Sequence, residues 1–415
     1  MGERSGAPMK PAVSIVCSLM IVGVAVLAHS APQTQSKPSP GVKTPALAAA
    51  SNAPRFAFGG NVADVPATFI QDVILLPVKI NASTPSLFVV DTGASVTSVD
   101  PARAKEIGFG GGQRAALTMP GLLSPFDSLP TSPRENFASN IGRSYEGTIG
   151  TDFLSRVVVA IDYARETVRI FDPAAYKYAG HGSVLPVTFR DGMPVIHAKF
   201  DTPKGKQVEA DFGMNTSLIA GIVVSKKFSE AHHVFPSKGK AAEAYDPQLT
   251  GGENVSLYRL RWFKVAGSAA EDTIAELSSS KQAAGDEPRI AGVLGARFLR
   301  RFNIMLDYTH HQVIFEANAH FHDYDEEDKS GIAVVAKGPS QKTFEVVHVI
   351  AGSPAANGGI QAGDVIAGID DEAAADMSLA SVRYLFRQVG HKYKLTLQRG
   401  DKTREVTIRM ERLLE

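Results

Sequence analysis

The feature that most constrains this chain is an internal repeat. Val73 to Gly93, "VILLPVKINASTPSLFVVDTG", matches Met193 to Gly213, "MPVIHAKFDTPKGKQVEADFG", without a gap at an offset of 120 residues. Each segment reads as a strand, a turn and a second strand that ends at Asp-x-Gly. A second match, at an offset of 145, pairs "GTIGTDFLSRVVVAIDY" (Gly147 to Tyr163) with "GVLGARFLRRFNIMLDY" (Gly292 to Tyr308). Two copies of one β-rich unit therefore fill the middle of the chain. The 25 extra residues of the second copy are expected around Lys238 to Asp286, where turn-forming and charged residues cluster. After the first Asp-x-Gly, "DPARAKEIG" predicts a short helix with Asp100 before it, Pro101 at its first position and Gly108 ending it.

The flanks are of other kinds. Arg4 and Lys10 precede an apolar run, Val13 to Ala28, and Ala28-His29-Ser30 fits a small-x-small cleavage site. This reads as a secretory signal over residues 1–30, so the chain is expected to be exported, to a periplasm or outside the cell. A membrane contact is expected only if that segment stays uncleaved. The single cysteine, Cys17, lies within it, which leaves the mature chain without disulfides or a cysteine nucleophile. Residues 31–55, rich in Pro, Ser, Thr, Ala and Gln, read as a disordered tether. Lys+Arg and Asp+Glu both number 43 with no long basic run, which argues against a nucleic-acid partner. Adjacent pairs His232-His233 and His310-His311 lack metal-ligand spacing, and "DYDEED" lacks the central Gly of a calcium loop. No metal or other cofactor is expected.

Asp-Thr-Gly at the end of an apolar strand suggests a specific chemistry. Hydrolysis of a peptide without metal or covalent intermediate needs an activated water. Two carboxylates held about 3 Å apart cannot both ionise, so they share a proton. The ionised one takes a proton from water, and the other donates to the carbonyl oxygen.

"VVDTGAS", "GTIGTDFL" and "GVLGARFL" together resemble the retropepsin-like aspartic proteases, in the bacterial form with two lobes and a C-terminal PDZ domain. The resemblance spans roughly residues 60–320 plus the C-terminal unit. It implies a mostly β fold, with two acid-protease β-barrel lobes (56–178 and 179–321) around a cleft. An acidic linker (322–330) and a PDZ domain, a β-barrel with two helices (331–415), follow. By position it implies Asp91 and Asp211 as the catalytic pair, with Thr92, Gly93 and Ala94 in the first active-site loop and Phe212 and Gly213 in the second. A covering flap is sought within Arg114 to Leu123.

The second loop departs from the pattern. Phe212 stands for the Thr, Glu209 for an apolar strand residue and Met214 for Ala94. Asn215, Thr216 and Ser217 follow, with groups able to bond to the loop. The readings are therefore an aspartic endopeptidase acting on protein or peptide substrates, a degenerate protease-like peptide binder, or a homodimer with an Asp91/Asp91 site.

"SPAANGGIQAGDVIAGID", Ser353 to Asp370, resembles the PDZ segment of bacterial proteases. That resemblance implies capture of peptide C-termini as an added strand, between Gly331, Ile332, Ala333 and Val334 and a helix over Ser378 to Val389. "HDYDEEDKS", His322 to Ser330, reads as a solvated linker.

Overall fold

The computed structural model describes residues 52–133, 137–235, 241–249, 252–280 and 290–414. The signal segment and nearly all of the tether lie outside the described residues. The tether's last four residues do not: Arg156 Nη1 donates to Asn52 O at 2.9 Å, and Arg55 pairs with Leu123 in a short strand.

The architecture is mostly β: two lobes and a C-terminal PDZ domain. In the first lobe the strand Val73–Ile80 is buried along almost its whole length, because its apolar run is covered on both faces. It pairs antiparallel with Ser86–Val90, which delivers the chain to Asp91. Ser86–Val90 also runs parallel to Gly147–Ile149. The short helix Pro101–Glu106 forms as expected. Asp100 Oδ1 accepts from Ala102 N (2.9 Å) and Arg103 N (3.3 Å), and Gly108 leaves it at a φ of 66°.

The second lobe repeats this plan. Met193–Asp201 pairs with Gln207–Asn215, which runs parallel to Ile290–Gly295. One sheet joins the lobes: Val158–Asp162 pairs antiparallel with Phe302–Asp307. Ala160 lies opposite Met305, which is its own counterpart at the offset of 145. The axis relating the two copies therefore passes through that pair.

The two hairpins differ in length. Leu75 faces Val89 in the first, whereas Val195 faces Gly213 in the second. The second is four residues longer, so part of the extra length sits there rather than within 238–286. Beyond its turn, the offset between copies becomes 124.

The stretch 322–330 is not solvated. Asp325, Glu327, Lys329 and Ser330 are buried. Asp325 Oδ1 receives Arg301 Nη2 at 2.7 Å, and its Oδ2 receives Ile274 N at 3.1 Å. Glu327 lies 3.5 Å from Arg259 and 3.7 Å from Lys329. The buried carboxylates meet Arg259 and Arg301 from the second lobe or Lys329 of the segment itself, which is what allows so acidic a segment to be covered. Lys329 N donates to Phe386 O at 2.8 Å, so the segment stitches the second lobe to the PDZ domain.

Candidate active site

Asp91 lies at the floor of a cleft of about 700 Å³. The strand Ser86–Val90 ends there, and Asp91 N donates to Ile149 O at 3.0 Å. Gly93 N donates to Asp91 Oδ1 at 2.8 Å, which fixes the carboxyl. Protein packed around the group pushes its pKa up, against hydrogen bonds from Gly93, the Ser217 hydroxyl and Ala94.

The residue opposite is Asn215. A reciprocal brace of two buried threonines sets the pairing. Thr92 N donates to Thr216 Oγ1 and Thr216 N donates to Thr92 Oγ1, both at 3.1 Å and 124 residues apart in sequence. Thr92 Oγ1 donates to Met214 O (2.7 Å), and Thr216 Oγ1 donates to Val90 O (2.6 Å). Thr216 is thus the counterpart of Thr92, and Asn215 of Asp91. The side chains match too: Ser217 N donates to Asn215 Oδ1 at 2.8 Å, as Gly93 N does to Asp91 Oδ1. Gly93 must be glycine here, because a Cβ would lie 2.4 Å from Asn215 Nδ2 and 3.1 Å from Asp91 Oδ1. The Gly150 and Gly295 elements agree. Thr151 N donates to Ala94 O at 2.8 Å, and Ala296 N donates to Leu218 O at 2.6 Å.

The structure does not bring Asp211 to Asp91. Asp211 sits within the strand Gln207–Asn215, before the loop, opposite His197. Its half-exposed carboxylate meets His197 Nδ1 at 3.0 Å, and Glu209 pairs with Lys199 on the same surface. Phe212 is fully buried in the second lobe's core, 5.1 Å from the Phe263 ring and 5.9 Å from Phe200. Gly213 lies in the strand against Met193. Neither belongs to the active-site loop, and Leu218 rather than Met214 matches Ala94. The cause is the longer hairpin, which an ungapped match ignores. Asn215-Thr216-Ser217, an Asx-Thr-small sequence like Asp91-Thr92-Gly93, was the signal that marks the true counterpart. Thr92, Gly93 and Ala94 do lie beside Asp91.

The hairpin of Gln113–Met119 and Leu122–Leu129 is not over the cleft. Its tip packs on the N-terminal strand region, with Ala57 N donating to Gly121 O at 2.9 Å. The cleft walls are instead Pro130 to Pro133, Phe137 and Tyr145.

Two substitutions probe this geometry. Thr216→Val leaves Thr92 N and Val90 O without partners in a buried place, a loss expected to cost about 2–4 kcal/mol and read as a lower Tm. Asp91→Asn tests the part-buried carboxyl. With its folded pKa raised, Asp91 holds its proton more tightly in the folded chain than in the unfolded one. Its stability contribution is complete below an unfolded value of about 3.9 and is lost as pH rises through the folded value. The Tm of Asp91→Asn relative to the parent should therefore climb as pH rises above about 4; a flat difference would contradict the raised pKa.

In the C-terminal unit, the strand Ile332–Lys337 forms the edge of its sheet, and the helix beside it is Leu379–Leu385. The groove expected at Gly331, Ile332 and Ala333 is narrowed: a cavity of about 150 Å³ lined by Ile332, Ala333 and Val334 remains there, walled by Asn140 of the first lobe. Helix Phe137–Ile141 of the first lobe packs against that edge strand. Arg383 Nη1 donates to Asn140 O and Nη2 to Val334 O, both at 2.8 Å, tying the helix to the strand. Leu379 closes on Gly142, where a Cβ would come within 2.7 Å.

No curated protein matches the chain. Among solved structures it is similar to the aspartic proteinase from Irpex lacteus, at 13% identity over 63% of this chain and 99% of that one, with a TM-score of 0.39. It is also similar to a photosystem II D1 C-terminal processing protease, at 27% identity over 20% of this chain and 22% of that one, with a TM-score of 0.18. Residues 325–410 match the PDZ domain family. The edge strand Ile332–Lys337 and the helix Leu379–Leu385 thus belong to a PDZ domain.

Proposed function

We propose that this chain is an exported, protease-related peptide-binding protein whose two-lobed cleft holds an extended peptide over a single carboxyl, Asp91. The observation that carries the reading is the brace of Thr92 and Thr216, which puts Asn215 where a second carboxylate would have to stand. Asn215 can donate an amide hydrogen to a substrate carbonyl. It cannot exchange a proton with a shared water, so the two-carboxylate mechanism lacks one of its members. A homodimeric Asp91/Asp91 site is disfavoured for the same reason, since the place facing Asp91 is filled from within the chain. Export rests on the N-terminal basic and apolar segment.

The test uses a fluorescent unfolded protein at acid and neutral pH. The full chain should bind it without cleaving it, and Asp91→Asn should bind it about as well. Cleavage by the parent that vanishes in Asp91→Asn would overturn the reading in favour of an active peptidase.

A further inference from the structure

A second cavity, of about 550 Å³, opens where the two lobes and the PDZ domain meet. It shares no wall residue with the Asp91 cleft, and the edge strand Ile332–Lys337 does not line it. Gln71 and Asp72 border it from the first lobe and Arg297 from the second. Arg383 and Arg387 border it from the PDZ domain. Three guanidiniums face one space.

The three are not equivalent. Arg383 is fully used: its Nη1 donates to Gln71 Oε1 (2.7 Å) and Asn140 O, and its Nη2 to Val334 O. The guanidiniums of Arg297 and Arg387 make no hydrogen bond or close ion pair with any described residue. The neighbouring carboxylates are occupied elsewhere or stand apart. Asp72 leans towards Arg300 at 3.7 Å. Asp328 accepts from Ser330 and Gly331, and Asp246 is bonded to Glu276. Glu372 is exposed at the rim. Burial pushes the Arg387 guanidinium down to about 9, and repulsion from Arg297 and then Arg383 adds to this; Asp328 and Asp72 act against it.

Two like charges from different domains border this half-open space with no hydrogen-bonding counter-charge; Asp72, Asp246, Glu276 and Asp328 compensate them only through space. Guanidiniums grip oxyanions through parallel N–H donors. We propose that this cavity is an oxyanion-binding site, in which Arg297 and Arg387 hold one phosphate or carboxylate group between the second lobe and the PDZ domain. The volume exceeds what an inorganic ion fills, and Ile219, Met377, Ala380 and Leu385 give an apolar lining for an organic remainder. Bound there, the anion cross-links two domains, so binding appears as added thermal stability.

The test is a thermal-shift titration of the full chain with four probes, each against sodium chloride of the same ionic strength. The probes are inorganic phosphate, phenyl phosphate, a tetrapeptide with a free C-terminal carboxylate, and its amide. At least one anionic probe should raise the Tm saturably while the amide does not. Phenyl phosphate acting alone identifies an organic phosphate, and the free tetrapeptide acting alone identifies a peptide end. Arg297→Gln and Arg387→Gln should each weaken apparent affinity at least about tenfold, the loss of one charge-assisted bidentate contact. Apparent affinity is compared on variants that still melt cooperatively without ligand; Arg387→Lys, which keeps the charge, should retain part of the shift. No anionic probe exceeding the chloride control would overturn the site. So would a shift that survives in both Gln variants, and loss in one variant alone would overturn the two-arginine grip.

Discussion

Asn215→Asp is expected to raise hydrolysis of an unfolded protein by about 10²–10⁴-fold, the usual contribution of a positioned general acid–base. The geometry is already in place. Asn215 and Asp91 each take an N–H from the residue two positions on, and the threonine brace holds both loops. The substitution exchanges an amide for an isosteric carboxyl. Two carboxyls at that site would share one proton, and turnover should follow a bell-shaped acid profile belonging to the pair. The gain should vanish in Asp91→Asn/Asn215→Asp. The contrasting variant is Asp211→Asn. Its carboxylate meets His197 on the half-exposed face of a strand, so it should leave any turnover unchanged. If Asn215→Asp gives no hydrolysis although it folds and binds peptide, the assignment of position 215 fails.

Asp325→Ala should be the most damaging change in the joining segment, costing about 3–5 kcal/mol. Arg301 and Asp325 are both buried, 2.7 Å apart. Removing the carboxylate leaves a guanidinium without its counter-charge and Ile274 N without its acceptor. At about 2–4 °C per kcal/mol, the Tm should fall by roughly 6–20 °C. Arg165→Ala provides the control. It breaks an ion pair with Asp162 in which the arginine is 79% exposed, and should move the Tm little. Equal effects from the two substitutions would contradict the burial of the segment.

The duplication was legible because strands that pair in the core must keep their apolar residues. "VILLPVKI" and "IAGVLG" carry that constraint openly. The helix at Asp100 was legible because a cap and a Pro act locally. The second half of the site was not, for a geometric reason. Lengthening a hairpin by four residues preserves the face each side chain occupies, so the strand still looks like its counterpart while its end has moved. An Asp within that strand then stands in for the real position. The acidic segment misled differently. Its charge count shows what it would prefer in water, whereas Arg259, Arg301 and Lys329, supplied from elsewhere in the fold or from its own end, decide where it lies. The narrowing of the PDZ groove depends on helix Phe137–Ile141, almost 200 residues away in sequence, and no local pattern reports such a contact.

The axis through Ala160 and Met305 has a consequence for what substitution can do. In a symmetric dimer, one codon writes both halves of the site, and any change is made twice. Once the halves are joined in one chain they are written separately. One loop can then keep its carboxyl while the other takes an amide. The position facing Asp91 became free to change without touching Asp91 itself, and Asn215 occupies that freedom.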